Sequence, residues 1–449
     1  AGDPLFRARG VRAMVGQLDL ESWRAQAAAL GVTMDEIAAS NPTRPAGHYT
    51  DDTLLSLSLA EAIVGAGGAP PSNTQCAEAA VAAWRANEAS PLKGLRGFGS
   101  GTQRVIEALA EGSAMPDATG RMVRPEGSNR NGAVMRIAPL GLLFSDRALD
   151  DTRHWSVLGE LRAAVVDAIK FSHNNEDAVD GAASVAYLVA RGAAATVAGF
   201  EEMHADAKRL LGFIGTNVCE TESLKGMFAS LAEQWRPLPL PPASFHWDCE
   251  EHAYDVAALQ QAGVTFPSGG FTAVGAAATC AWMALRHGHR AEEALVRTIA
   301  LGGDTDTLAC IVGAVLGAAH GFAAVGNMYP QAWIDALENG PRGRDYALEL
   351  ADRLAQAVLL SRRQSAADTG VFQVTLSIPG GRTSVREVDR YAVRPSALVS
   401  DFVRRVRIRE GVSPAQLVYK QGPGSVVLLD PGKTWAEQGC TCDGVIVCV

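Results

Sequence analysis

From about residue 20 to 362 the apolar residues of this chain recur at helical spacing, and after residue 371 they switch to strict alternation; this change of period limits the fold more than any single motif. Runs such as Leu54-Leu57-Leu59-Ala62-Ile63 and Leu308-Ile311-Val312-Val315-Leu316 gather onto one face of a helix. Phe372-Gln373-Val374-Thr375-Leu376-Ser377-Ile378 alternates as a strand, Pro379-Gly380-Gly381 turns the chain, and Thr383 to Val388 reads as the hairpin partner. A short helix over Ala397 to Ile408 and strands near Leu417 to Tyr419, Ser425 to Leu429 and Val445 to Val449 complete the tail. Between the two regimes, residues 363–370 have no apolar period and read as a linker. The expected organisation is therefore an all-α unit over residues 1–362 and a small α+β unit over 371–449.

At 449 residues the chain exceeds what one ordinary core fills, which agrees with that division. A formal charge of -9 gives no concentrated basic face, so nucleic acid is not an expected partner; an acidic pocket holding a cation fits better. The tail is the exception, with ten Lys and Arg against seven Asp and Glu in residues 372–449. No apolar run is long enough to span a bilayer. The eight cysteines are scattered, several in apolar helical stretches, and the first residues lack a charged-then-apolar leader; both favour a reducing, cytoplasmic setting.

Two acidic clusters carry the chemistry. Thr50-Asp51-Asp52-Thr53 and Asp304-Thr305-Asp306-Thr307 each stand directly before a helical apolar run. Either one alone is as well explained by helix capping, because Asp and Thr side chains accept from first-turn amides. Two together supply four carboxylates and several neutral hydroxyls, more than capping requires. That inventory suits magnesium, a hard cation with oxygen ligands, and two such ions can grip a diol. Gly302 and Gly303 would let the backbone approach closely.

These residues resemble the ADP-ribosylglycohydrolase family, which includes the dinitrogenase-reductase-activating glycohydrolase and the serine- and arginine-ADP-ribose hydrolases. Tyr49-Thr50-Asp51-Asp52-Thr53 is similar to its first metal motif and Leu301-Gly302-Gly303-Asp304-Thr305-Asp306-Thr307 to its second. Gly127-Ser128-Asn129-Arg130-Asn131-Gly132 resembles the loop that holds the diphosphate and distal ribose, and Ser172-His173 a Ser/Thr-His element in the cleft. The resemblance implies an orthogonal helical bundle and two Mg2+ ions ligated by Thr50, Asp51, Asp52, Asp304, Asp306 and Thr307. It also implies a protein substrate carrying ADP-ribose, free ADP-ribose as product, and Asp52 or Asp304 as the catalytic carboxylate. Phe98, Gly99, Gly270 and Phe271 would line the cleft by the same resemblance. Only Ala1-Gly2-Asp3-Pro4-Leu5 answers to the family's first Gly-Asp element, and residues 6–18 contain no Glu where the serine-linked enzymes carry one. The departure points to an arginine-type arrangement and keeps a second reading open, a silent ADP-ribose reader.

Each of the smaller motifs also has a plain reading. The Gly127 to Gly132 loop by itself would be a turn, and His173 by itself a structural histidine. His246, Cys249 and His252 have zinc-like spacing without a fourth ligand, Cys440 and Cys442 read as incidental thiols, and His287-Gly288-His289 as a solvated helix end. Residues 371–449 resemble a ubiquitin-like β-grasp domain, most tellingly at Glu410-Gly411-Val412-Ser413-Pro414-Ala415-Gln416. The chain's last residues, Val445 to Val449, hold no Gly-Gly, so the resemblance implies docking, with ubiquitin or a ubiquitin-pathway protein as partner, rather than conjugation.

Overall fold

A computed structural model describes residues 47–90, 93, 96–145, 155–194, 199–238, 248–265, 268–321, 329–369, 372–379, 385–393, 417–422, 425–430, 433, 438 and 444–448. The readings made for residues 1–18, for the tail helix at Ala397 to Ile408, for Glu410 to Gln416, and for His246, Cys440 and Cys442 lie outside these residues. The chain divides into two units, with the boundary between residues 355 and 356.

Among the described residues the regular elements of the first unit are helices. Its helices are α1 (Asp51–Gly65), α2 (Asn73–Glu88), α3 (Ser100–Ala110), α4 (Pro116–Thr119), α5 (Ala138–Leu142), α6 (Trp155–Ile169), α7 (Glu176–Ala194), α8 (Gly199–Ala205), α9 (Ala207–Phe213) and α10 (Glu222–Glu233). They continue with α11 (Cys249–Gln261), α12 (Ala273–His287), α13 (Ala291–Ala300), α14 (Thr305–His320), α15 (Gln331–Ala336) and α16 (Arg344–Thr369). Among the described residues no helix is long and apolar enough to cross a membrane.

The core is built on α7, α12 and α14, which pack against one another. Every residue of α12 and nearly every residue of α7 is buried, as expected of helices apolar or small on all sides. Alanine favours the helix and leaves little side chain between axes, so the backbones come close. A Cβ on Gly181 would stand 2.7 Å from the Ala273 carbonyl oxygen, and one on Gly192 3.0 Å from the Ala319 nitrogen.

Buried charge within this unit is satisfied by donors from distant helices. Asp180 of α7, fully buried, accepts from the Glu220 and Thr221 amides, the Thr221 hydroxyl and Arg162, and so caps α10, whose own Thr221 makes no side-chain cap. Asp255 of α11 accepts from Trp282 at 2.9 Å, Arg286 at 2.9 Å and His287 at 2.7 Å, all on α12. His287 is therefore buried and paired rather than solvated, and the ring of His289 packs edge-on against Phe200.

The second unit contains a five-stranded sheet of β1 (Phe372–Pro379), β2 (Val385–Val393), β3 (Leu417–Gly422), β4 (Ser425–Leu428) and β5 (Gly444–Cys448), in the order β2-β1-β5-β3-β4. β1 and β5 are parallel at the centre, with Thr375 opposite Val445; the other pairs are antiparallel. The segment expected as a linker is helical as far as Thr369, because α16 continues through it. Arg, Gln and Ala sustain a helix without an apolar stripe, which is why periodicity missed it.

Candidate active site

Capping does not explain either acidic cluster. Thr50 is the N-cap of α1 and Asp304 that of α14, yet neither side chain makes a cap hydrogen bond. The Thr50 hydroxyl instead donates to Asp52 Oδ2 at 2.5 Å. Asp304 Oδ2 accepts from Asn131 Nδ2 at 2.7 Å, and the same amide donates to the Gly270 carbonyl at 2.8 Å. Thr50 thus turns to a carboxylate of its own motif and Asp304 to the glycine loop, and neither to a first-turn amide.

Gly302 and Gly303, at φ 77° and 85°, make the turn from α13 into α14 that brings Asp304 there, a left-handed path other residues rarely take. Asp51 and Asp52 enter from the first turn of α1 and are both buried. Burial raises the Asp51 carboxyl to about 8, with the charges of Asp52, Asp306 and Asp304 adding to it. Asp52 is likewise raised by burial and by Asp306, against hydrogen bonds from Thr50 and Thr307 that pull the other way. Burial also raises Asp304, followed by the charge of Asp306, while the Asn131 bond opposes the shift. Thr50, Asp51, Asp52, Asp304, Asp306 and Thr307 thus form one electrostatic cluster drawn from two helix starts some 250 residues apart.

The donor set fits a hard cation. Asp52 Oδ1 is buried and, among the described residues, accepts no hydrogen bond, and the carboxylates around it repel one another. A divalent ion would satisfy that oxygen and cancel the repulsion. Among the described residues no group of three or more His, Cys, Asp or Glu side chains is clustered tightly enough to hold an ion unaided. Hydroxyls of Thr50 and Thr307 and retained waters would complete the shell, as magnesium commonly requires.

The glycine loop lies against this cluster. Asn131 opens a short 3-10 turn (Asn131–Ala133), and the backbone on either side of it pairs with the segment before α12: Arg130 bridges Thr272, and the Ala273 amide donates to the Asn129 carbonyl at 2.9 Å. Gly127 takes φ 80° and sits so close to Asn174 that a Cβ would fall 1.8 Å from its carbonyl oxygen. His173 is 3% exposed, its ring pressed on Gly132. Ser128 accepts from the Arg130 amide at 3.4 Å, a local turn contact. Phe98 packs edge-on against Trp84 of α2, Gly99 is the exposed N-cap of α3, and Phe271, 38% exposed, belongs to the short turn that packs against the start of α14. Gly270 is tied to the acidic cluster through the Asn131 amide.

Two residues outside the motifs fasten the first cluster. Arg96, buried, donates to the Tyr49 carbonyl and to Glu338, both at 2.7 Å, stacks on the Tyr49 ring, and accepts from the Asp51 amide through its own carbonyl at 2.7 Å. Glu338 also pairs with His48 at 2.6 Å. Nothing in the spacing of residue 338 connects it with residue 51; only the near-total burial of a charged pair reveals it.

The two acidic helix starts and the glycine loop meet within one helical unit, and the family and relative matched by that unit make the chain a glycosyl hydrolase. The chain belongs to the ADP-ribosylglycohydrolase family, whose sequence profile matches residues 14–364. It is similar to the ADP-ribosylhydrolase ARH3 of Danio rerio, at 28% identity over 352 residues covering 73% of this chain and 84% of that protein. A solved ADP-ribosylglycohydrolase-related protein complex is 20% identical and covers 80% of this chain and 97% of its own, at a TM-score of 0.44.

Proposed function

We propose that this chain hydrolyses the bond joining ADP-ribose to a protein side chain, using two magnesium ions held by Thr50, Asp51, Asp52, Asp304, Asp306 and Thr307. The observation that carries this reading is the Asn131 amide, which ties Asp304 to the glycine loop and so brings that loop next to the carboxylate cluster. Bound there, the ions would hold the hydroxyls of the distal ribose and so orient the sugar for attack by water at its anomeric carbon.

The protein's own residues do the rest. The backbone from Gly127 to Gly132 lacks side-chain bulk and offers amides to a diphosphate. Asn131 holds the Asp304 carboxylate in one orientation, and Asp304 or Asp52 accepts a proton from the attacking water. Asp51, Asp52 and Thr307 are buried while Asp306 is exposed, so the cluster is open to solvent on the side from which a sugar would enter. The absence of Glu from residues 6–18 favours an arginine-linked acceptor over a serine-linked one. The tail's strand order, with β1 parallel to β5 at the centre, supports a ubiquitin-like unit that would dock a ubiquitin-pathway protein or present ADP-ribosylated ubiquitin.

A panel of arginine-, serine- and ubiquitin-linked ADP-ribose substrates, assayed with and without magnesium, tests the reading. Release of ADP-ribose should require magnesium and fall at least 100-fold in Asp51→Ala and Asp304→Ala. Undiminished turnover in both variants would refute it, and tight ADP-ribose binding with no product from any substrate would favour a silent reader.

A further inference from the structure

The buried surroundings of His173 contain more order than a ligand contact alone requires. Arg136, 2% exposed, donates from Nη2 to the Ser172 hydroxyl at 2.6 Å and lies over the Phe171 ring at 4.8 Å. Ser172 Oγ is in turn 2.8 Å from His173 Nδ1 and 3.3 Å from the Ile169 carbonyl. Arginine can only donate, so Ser172 is an acceptor toward Arg136 and has a single proton left to place. The Ile169 carbonyl can only accept that proton, but 3.3 Å lies beyond the ordinary O–H···O range, whereas 2.8 Å to Nδ1 lies within hydrogen-bond range, so the proton goes to Nδ1. On the other side of the ring, Nε2 abuts Gly132 so closely that a Cβ there would stand 2.9 Å away, and among the described residues Nε2 has no hydrogen-bond partner.

From this chain of contacts we infer that Arg136 and Ser172 are positioning residues that lock His173 into its Nε2-protonated, uncharged tautomer, making it a fixed N–H donor aimed at an oxygen of a ligand lying along Gly132. Burial, followed by the nearby Arg136 charge, holds the imidazole well below its ordinary pKa, which keeps it neutral at working pH. A neutral donor suits a phosphate or ribose oxygen and excludes His173 as the base, leaving that work to the carboxylates. The identity of the ligand rests on the ADP-ribose reading; the tautomer does not.

The test uses the full chain with 15N-labelled histidine and long-range proton-nitrogen correlation, the His173 signal being assigned by its loss in His173→Gln. Without ligand, wild type should show a neutral ring protonated on Nε2. Ser172→Ala should release the ring to a mixture of tautomers and weaken ADP-ribose about tenfold by calorimetry, the loss of one well-placed hydrogen bond, while Ser172→Thr restores both. A wild-type proton on Nδ1 would overturn the inference, as would a Ser172→Ala protein whose tautomer and affinity match wild type. If wild type shows the Nε2 tautomer but ADP-ribose does not bind at all, the positioning role stands and the assignment of the ligand falls.

Discussion

Asp52 and Asp180 are both nearly or completely removed from solvent, yet their surroundings differ in kind. Asp180 receives four donors and leaves no charge unanswered, whereas Asp52, amid other carboxylates, keeps an oxygen with no partner among the described residues. A buried acid saturated by donors serves the fold; one short of donors awaits a ligand. The two should respond oppositely to loss of charge. Asp180→Asn removes the buried partner of Arg162, which keeps the exposed Glu176 and Glu220, and weakens the acceptor of the Glu220 and Thr221 amides, costing about 1–3 kcal/mol. Asp52→Asn removes repulsion in the metal-free protein and should stabilise it by about 1 kcal/mol while abolishing turnover, the trade expected where an active site is held under strain. Urea unfolding of both variants in chelator checks this, and a destabilised Asp52→Asn protein would refute the account of a frustrated cluster.

At the scale of elements, α11 and α12 are locked by Asp255. Burial by itself would raise this carboxyl, but the attraction of His287, its hydrogen bond and the charge of Arg286 outweigh it and hold the group below 3.8. Because the folded value is the lower one, the lock contributes stability above the unfolded carboxyl's pKa and loses it as pH falls through the folded value. Asp255→Asn should therefore lower Tm by several degrees at pH 7, with the gap to wild type narrowing below about pH 3.8. Calorimetry across that range decides it; a constant gap would dissociate the lock from ionisation. Elements like these were legible in the sequence where an apolar stripe marks them, as at α1 and α14. The strands were legible too: β1, β4 and β5 lie within one or two residues of their expected bounds, while β2 and β3 run several residues further. The end of α16 was not legible, since it has no stripe, and neither was the Arg96–Glu338 pair, since a contact across 242 residues leaves no local pattern. The motifs at residues 50 and 304 could be read as caps or ligands with equal right; only the directions of the Thr50 and Asp304 side chains separate the two.

For the whole molecule, an ion bound by the carboxylate cluster must stabilise the folded state by mass action, about 2.7 kcal/mol at one hundred times its Kd. Magnesium should then raise the unfolding temperature of the full chain by a few degrees, and Asp304→Asn should abolish the rise. An identical rise in that variant would place the ion elsewhere.

The clasp between His48, Arg96 and Glu338 has a temporal consequence. Residues meeting across 290 positions cannot join until the ribosome has delivered the later one, roughly 15–60 s after the first at ordinary elongation rates. During synthesis the first acidic motif has Arg96 at hand but lacks Glu338 and Asp304, so the full set of carboxylates cannot gather until most of the helical unit has been made.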